Sequence, residues 1–242
     1  MRETAALTIL RETDDLVFID KPSGIATEPD AKSRDSIRDR LAAELARRGE
    51  ERRQPHALSR LDLPVSGVVT FAKRTSRALS QMVEKGSVDK LYVAIVLGDL
   101  PEARLVEAPV DGRPASTRFS PLARAPVASG AATLVTAEPL TGRFHQIREH
   151  AASIGALIVG ERRHGTANRV VAKNGRVVSP GRILLHSLAV SIPWPDPRAR
   201  IGVAAPIPAA FLDTWTSLDG ASEAWEETQR ACDDWLRRRS SD

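Results

Sequence analysis

The sequence predicts an α+β domain with a mixed, largely antiparallel sheet flanked by helices, and three observations lead there. Strand-like and helix-like stretches mix without the regular βαβ rhythm of a parallel sheet. Most strand candidates are short apolar runs bounded by Gly, Pro, Asn or Ser, and one such pair encloses a hairpin signal. The chain of 242 residues, 42% hydrophobic and 27% charged, is long enough for one large domain or two lobes sharing a core.

The elements follow in order. "DLVFIDKPSG" predicts a strand from Leu16 to Ile19 that ends in a turn, with Pro22 presetting one dihedral and Gly24 closing it. A helix comes next: Asp35 or Ser36 can cap it, Ile37, Leu41 and Leu45 form its apolar stripe, and Gly49 ends it. "SGVVTFAK" is a strand from Ser66 to Lys73, and Thr75 caps a helix carrying Leu79, Met82 and Val83 that stops near Gly86. "KLYVAIVLG", Lys90 to Gly98, is rich in β-formers and predicts a mostly buried strand. Pro101 to Gly130, rich in Pro, Ala and Arg, predicts loops with short strands. "AATLVTAEPL" is a strand leading through a tight turn into a helix whose apolar positions are Phe144, Ile147, Ala151 and Ile154. "VVAKNGRVV" predicts a hairpin with a type I′ turn at Asn174 and Gly175. "ILLHSLAVSIPWP" is a further strand. The last helix buries Trp225, Cys232, Trp235 and Leu236, so the chain divides into a body, residues 1–220, and an amphipathic helix, 221–242, packed on it.

Composition narrows the function. No apolar run reaches the length of a membrane span and the N-terminus lacks the features of a signal peptide, which predicts a cytoplasmic protein. A single cysteine, Cys232, excludes an internal disulfide and a cysteine-based zinc site. Lys and Arg number 35 against 31 Asp and Glu, so local clustering matters more than the total. One basic cluster, Arg38, Arg40, Arg47, Arg48, Arg52 and Arg53, is diluted by Glu44, Glu50 and Glu51. The other, Arg162, Arg163, His164, Arg169, Lys173, Arg176 and Arg182, is little interrupted.

Two charges stand in apolar surroundings. Arg148 lies about 40° round the helix axis from Phe144, on or beside the face that should be buried. Asp62 sits among Leu58, Leu61, Leu63 and Val65. A desolvated charge is costly unless paired, so the two are natural partners, in either a structural ion pair or an active site. Other chemistries find no support. His145 and His150, five apart, would point about 140° from each other on a helix and cannot clamp one ion. There is no G-x-S-x-G elbow and no phosphate-binding glycine loop. A glycosidase needs two carboxyl groups, and Glu149 and Glu161 are expected to be exposed. Tyr92, the only tyrosine, is either a core aromatic or a stacking platform for a nucleobase.

Five stretches, in order from about Leu16 to Pro195, resemble the RluA-type pseudouridine synthases. They are "VFIDKPSGIATEP", "SRLDLPVSGVVTFAK", "KLYVAIVLG", "LTGRFHQIREHAASIGALIVGERRHG" and "ILLHSLAVSIPWP". The resemblance implies a pseudouridine synthase core with a central RNA-binding cleft, isomerising a uridine in structured RNA with neither metal nor cofactor. It implies that Asp62 is the catalytic aspartate and that Arg60 helps open the RNA. Tyr92 would stack on the target uracil, Arg148 would pair with Asp62, and Leu185 would line the pocket. Arg143, His145 and Gln146 of the helix motif, with Arg162, Arg163, Arg169, Lys173 and Arg176 of the basic stretch, would bind the substrate. That stretch is similar to an insertion in the tRNA-modifying branch, which favours tRNA over rRNA as partner of a monomeric enzyme. On this reading Arg148→Met keeps the fold and removes turnover.

The sequence departs from the family at Ser59 for His, Val65 for Thr, Phe144 for a small polar residue, and Glu161 for Asp. Two alternatives stay open: a catalytically silent RNA-binding or RNA-folding protein, and a nucleoside or glycan hydrolase using the same aspartate.

Overall fold

The computed structural model describes residues 7–29, 35–50, 54–74, 79, 81, 88–165, 167–194 and 199–240. Strands β1 (Thr8–Glu12) and β2 (Leu16–Lys21) form an antiparallel pair, followed by helix α1 (Ile37–Arg47). Ser36 caps α1, its Oγ accepting the Asp39 N–H at 3.1 Å, and Ile37, Leu41 and Leu45 are its buried stripe. Next come β3 (His56–Ala57), β4 (Ser66–Ala72), β5 (Asp89–Leu97), β6 (Arg104–Glu107), β7 (Ser116–Val127) and β8 (Gly130–Pro139). Helix α2 (Gln146–Ser153), β9 (Leu157–Ile158), the small hairpin β10 (Val170–Val171) and β11 (Val177–Val178), β12 (Leu185–Pro193) and β13 (Arg200–Ala204) follow. Helices α3 (Ala209–Ser217) and α4 (Ala224–Ser240) come last. The helix expected from Thr75 to Gly86 lies largely outside the described residues; Leu79, within it, is helical and buried.

The main sheet runs β1-β2-β4-β12-β5-β8-β7-β6, with β13 on β12, β3 on β4 and β9 on β5. Among the described strand pairs only β4 and β12 are parallel, so the predicted mixed, largely antiparallel sheet is what forms. Alternation along β5 separates two cores. Tyr92, Ala94 and Val96 face one that contains Ile37 and Leu41 of α1, Ile147 and Ala151 of α2, and Leu185. Leu91, Val93 and Ile95 face the other, which holds Phe211 and Trp215 of α3, Cys232 and Trp235 of α4, and Val170, Ala172 and Val178 of the small hairpin.

Two expectations about local structure are corrected. Ser116–Val127, in the region read as loops with short strands, is one strand of 12 residues paired along β8 from Thr117↔Pro139 to Val127↔Gly130. Its prolines are tolerated because β6 pairs only as far as Phe119, so Pro121 and Pro126 lie on an open edge where a missing N–H breaks no ladder bond. The hairpin turn is not type I′. Ala172 N–H donates to Arg176 O at 2.8 Å and only Gly175 in the turn has positive φ, at 85°, which describes a three-residue loop with a left-handed glycine.

Candidate active site

Asp62 stands in the turn before β4, and that turn is bolted to the segment after β2. Thr27 Oγ1 accepts the Leu61 N–H and donates to the Leu61 carbonyl, both at 3.1 Å. Ser23 Oγ donates to Pro64 O at 2.7 Å, and Gly24 N–H donates to Leu63 O at 2.8 Å. Beneath it, Lys21 is fully buried, its Nζ donating to Pro22 O, Ile25 O and Leu63 O at 3.0, 2.8 and 3.3 Å. Burial, and then Arg182, push its ammonium down to about 7 against the pull of Asp62 and Asp20. The "KPSG" turn thus holds the carboxylate's backbone in place.

The Asp62 carboxylate meets Arg148. Arg148 Nη1 donates to Asp62 Oδ2 at 2.8 Å, and His145 Nε2 lies 3.3 Å from the same oxygen. The other side of the guanidinium is occupied too: Nε and Nη2 donate to Glu161 Oε2 and Oε1 at 2.7 and 2.8 Å. Glu161, expected to be exposed, is 1% exposed. Its Oε1 also accepts the backbone N–H groups of Arg162, Arg163 and His164 at 2.9, 2.7 and 3.3 Å. Burial alone would raise its carboxyl, but Arg148 and these donors outweigh it and hold it at about 2. Burial likewise lowers Arg148, and its hydrogen bonds to Glu161 and Asp62 overcome this and raise it, so the arginine stays charged between two acids.

Tyr92, 7% exposed, and Leu185 share one buried core with Leu61 and Ile147, the neighbours of Asp62 and Arg148 in sequence. Burial, then the charge of Asp62, push the Tyr92 hydroxyl well above its ordinary range, so the ring is neutral. Asp62 Oδ1 has no hydrogen-bond partner among the described residues. One carboxylate oxygen is therefore fixed and the other is available.

Residues 15–153 match the family model described as RNA pseudouridylate synthase. The chain belongs to that family. It is 32% identical over 223 residues to an uncharacterized RNA pseudouridine synthase, YhcT, of Bacillus subtilis, covering 86% of this chain and 70% of that one. It is 29% identical over 209 residues to the dual-specificity RNA pseudouridine synthase RluA of Escherichia coli, with 78% and 88% covered. The ribosomal large subunit pseudouridine synthase C of Vibrio vulnificus matches at 29% over 217 residues, with 82% and 65% covered. In fold, it superposes on human RNA pseudouridylate synthase domain containing 4 with a TM-score of 0.69 at 20% identity, covering 88% of this chain and 94% of that one. The chain is an RNA pseudouridine synthase of the RluA type, an isomerase acting on RNA. Among the described residues no helix is long and apolar enough to cross a membrane.

The synthase places the remaining predicted residues unevenly. Arg60 is exposed and makes no hydrogen bond or ion pair with the described residues. Arg162 and Arg163 are exposed and Arg143, also exposed, donates to Pro114 O at 3.2 Å. Gln146, expected on the substrate, is buried and spent internally. Its Nε2 donates to Ser116 O and Thr117 Oγ1 at 2.8 and 3.0 Å, and its Oε1 accepts from Thr141 Oγ1 and Arg143 N–H at 2.7 and 3.0 Å. It fastens the loop before α2 to β7.

Arg169, Lys173 and Arg176 are exposed, but their hairpin packs its apolar residues into the core on the far face of the sheet from Tyr92. Arg176 donates to Ser217 O of α3, and Arg182 turns inward to Ser66 Oγ at 2.6 Å. The structure therefore does not bring these basic residues to Asp62. The arginines of α1 are largely matched by acids as well: Arg40 by Asp35 at 2.6 Å, Arg47 by Glu44 at 2.8 Å and Arg48 by Glu44 and Glu12 at 2.7 and 3.0 Å. They are not a bare phosphate-binding surface.

Phe144 departs furthest from its expected place. Helix α2 begins only at Gln146, after His145 at φ +56°, so Phe144 precedes the helix and is 62% exposed. His150 is tied to Thr117 Oγ1 and Ala108 O, both at 2.9 Å, and could not share an ion with His145. His164 can: its Nε2 lies 3.0 Å from His145 Nδ1, and with Glu149 the donor atoms fall within 4.8 Å of one another. That group could hold a metal, although its two imidazoles already satisfy each other. Glu149 itself is half-buried.

Proposed function

We propose that the synthase flips one uridine of a structured RNA into the pocket beside Asp62 and rejoins its base through carbon, without a cofactor. That Asp62 Oδ1 has no hydrogen-bond partner among the described residues, beside an Oδ2 held by Arg148, is the observation that carries the reading. An ionised carboxylate with one oxygen anchored is oriented for attack through the other. In one route Oδ1 attacks C1′ while the N1–C1′ bond breaks. In the other it removes the C2′ proton as the same bond breaks, leaving a glycal. The base then turns, C5 bonds to C1′ with release of Asp62 or return of the proton, and the C5 proton leaves while N1 gains one. Both routes use the same aspartate, and the product is an isomer of the substrate.

Extrusion costs a few kcal/mol of stacking. Tyr92 and Leu185 offer the base an apolar wall, and the exposed Arg60, next to the catalytic turn, fills or braces the gap left in the RNA. Arg162 and Arg163, held by Glu161 through their backbone, suit phosphate contacts at the rim. Of the two RNA classes, we favour tRNA over ribosomal RNA because the Arg162–Arg182 stretch is similar to an insertion in the tRNA-modifying branch; ribosomal RNA is named for some relatives. The test is pseudouridine mapping in total RNA from cells with the protein, without it, and with Asp62→Asn. One pseudouridine should vanish in the last two, while the Asn variant still binds RNA. An unchanged map with Asp62→Asn overturns the assignment.

A further inference from the structure

We propose that Phe144 is a stacking platform for the nucleobase next to the flipped uridine, a subsite that rests on the reading of Asp62 as the catalytic residue. Phe144 is 62% exposed, whereas the chain's four other phenylalanines, Phe18, Phe71, Phe119 and Phe211, are 0%, 0%, 1% and 0% exposed. Phe144 is not loose. Its ring lies on the His145 imidazole with centroids 3.8 Å apart and planes inclined by 22°. His145 is 8% exposed and reaches Asp62 Oδ2 at 3.3 Å, and its other nitrogen meets His164 at 3.0 Å. The platform is therefore backed by a fixed imidazole and stands one ring away from the catalytic carboxylate.

The backbone explains why the ring points outward. His145 at φ +56° breaks the helix phase, so Phe144 cannot join the stripe of Ile147 and Ala151 that faces the core. The Arg163 guanidinium stands 5.9 Å from the Phe144 centroid, and its backbone N–H is held by Glu161 at 2.7 Å. An aromatic face with an adjacent cation matches the chemistry of a single-stranded nucleotide: a base to stack and a phosphate to neutralise. A helical RNA offers no open base face, whereas the neighbour of an extruded uridine has lost a stacking partner. Phe144 supplies the replacement.

The probe is total RNA labelled with [5-³H]uridine and taken from cells lacking the protein; each turnover releases tritium from C5. Phe144→Ala and Phe144→Leu should raise KM roughly 5- to 150-fold, the range expected of one base–aromatic stack, with kcat within about two-fold. Phe144→Trp should behave like the natural protein. Equal KM for all four proteins overturns the proposal. So does a fall in kcat at unchanged KM, which would make Phe144 a positioning residue acting through His145. If the natural protein itself releases no tritium, the catalytic reading fails, and filter binding of the same RNA then decides the platform alone: weaker binding by Ala and Leu but not Trp upholds it, and equal binding rejects it.

Discussion

Replacing Arg148 by Met takes one guanidinium from between two carboxylates, and the structure says what that costs. Glu161, 1% exposed, would keep only its backbone donors. Its carboxyl, held at about 2 against an ordinary 4.5, reflects a preference of about 3 kcal/mol for the ionised form in the native state. Arg148 supplies a large part of this, and stranding a buried partner typically costs about 3–5 kcal/mol. Against the roughly 5–15 kcal/mol of an ordinary domain, the variant should fold but unfold at markedly lower urea. Arg148→Met is therefore not the clean loss of turnover that the sequence suggests. Adding Glu161→Gln removes the stranded charge while leaving an amide oxygen for the backbone donors, so the double variant should regain at least half the lost stability and still release no tritium. Urea unfolding followed by the fluorescence of the buried Trp215 and Trp235 reads the first quantity. If Arg148→Met is as stable as the natural protein, or if turnover returns in the double variant, the clamp has been misread. Acid supplies a further check. The Glu161 contribution is present above pH 4.5 and lost as pH falls towards 2, so Glu161→Gln should lessen acid destabilisation in that window.

Other perturbations probe the frame around the pocket. His186, fully buried with Nδ1 2.7 Å from Ser66 Oγ, is pushed by burial and by Arg182 down to about 3. The unfolded chain binds its proton first, so stability falls as pH drops from 6.5 to 3, by about 2 kcal/mol at pH 5; His186→Gln should flatten that part of a stability–pH curve. Gly67, at φ +112°, packs so closely on β12 that a Cβ would collide with the Ser187 carbonyl, and Gly67→Ala should leave little folded, active protein by circular dichroism and tritium release. Arg60→Ala, at an exposed site with no partner among the described residues, should change stability by less than about 0.5 kcal/mol while lowering turnover. A large loss of stability there would move Arg60 from the RNA to the fold.

The Arg148–Asp62 pair was legible because each charge interrupts an apolar pattern, and a long-range partner was the economical explanation. Glu161 was not. Its neighbours in sequence are Gly160 and Arg162, it lies in no periodic element, and three of the five hydrogen bonds that hold it come from backbone N–H, which leaves no trace in residue types. The only sign was its place where the family carries Asp. Phe144 was misjudged by helix phase: extending the period of Ile147 and Ala151 backwards ignores a left-handed residue at position 145, and no sequence rule fixes φ at a histidine. β7 was hidden by its prolines, which argue against a central strand but not against a half-open edge. The basic insertion read as one patch because sequence proximity says nothing about which face of a sheet a hairpin covers.

The parallel pairing of β4 with β12 bears on how the enzyme is made. Ser66 and His186, 120 positions apart, lock the two strands, and Arg148 reaches Asp62 across 86 positions. Such distant closures cost more chain entropy than those of the local hairpins. A chain emerging from the ribosome has its aspartate early, yet lacks the wall and seam around it until Leu185–Pro193 has been synthesised. The sheet beside the aspartate is thus complete only once Leu185–Pro193 is made, and a product stopping short of that strand should release no tritium.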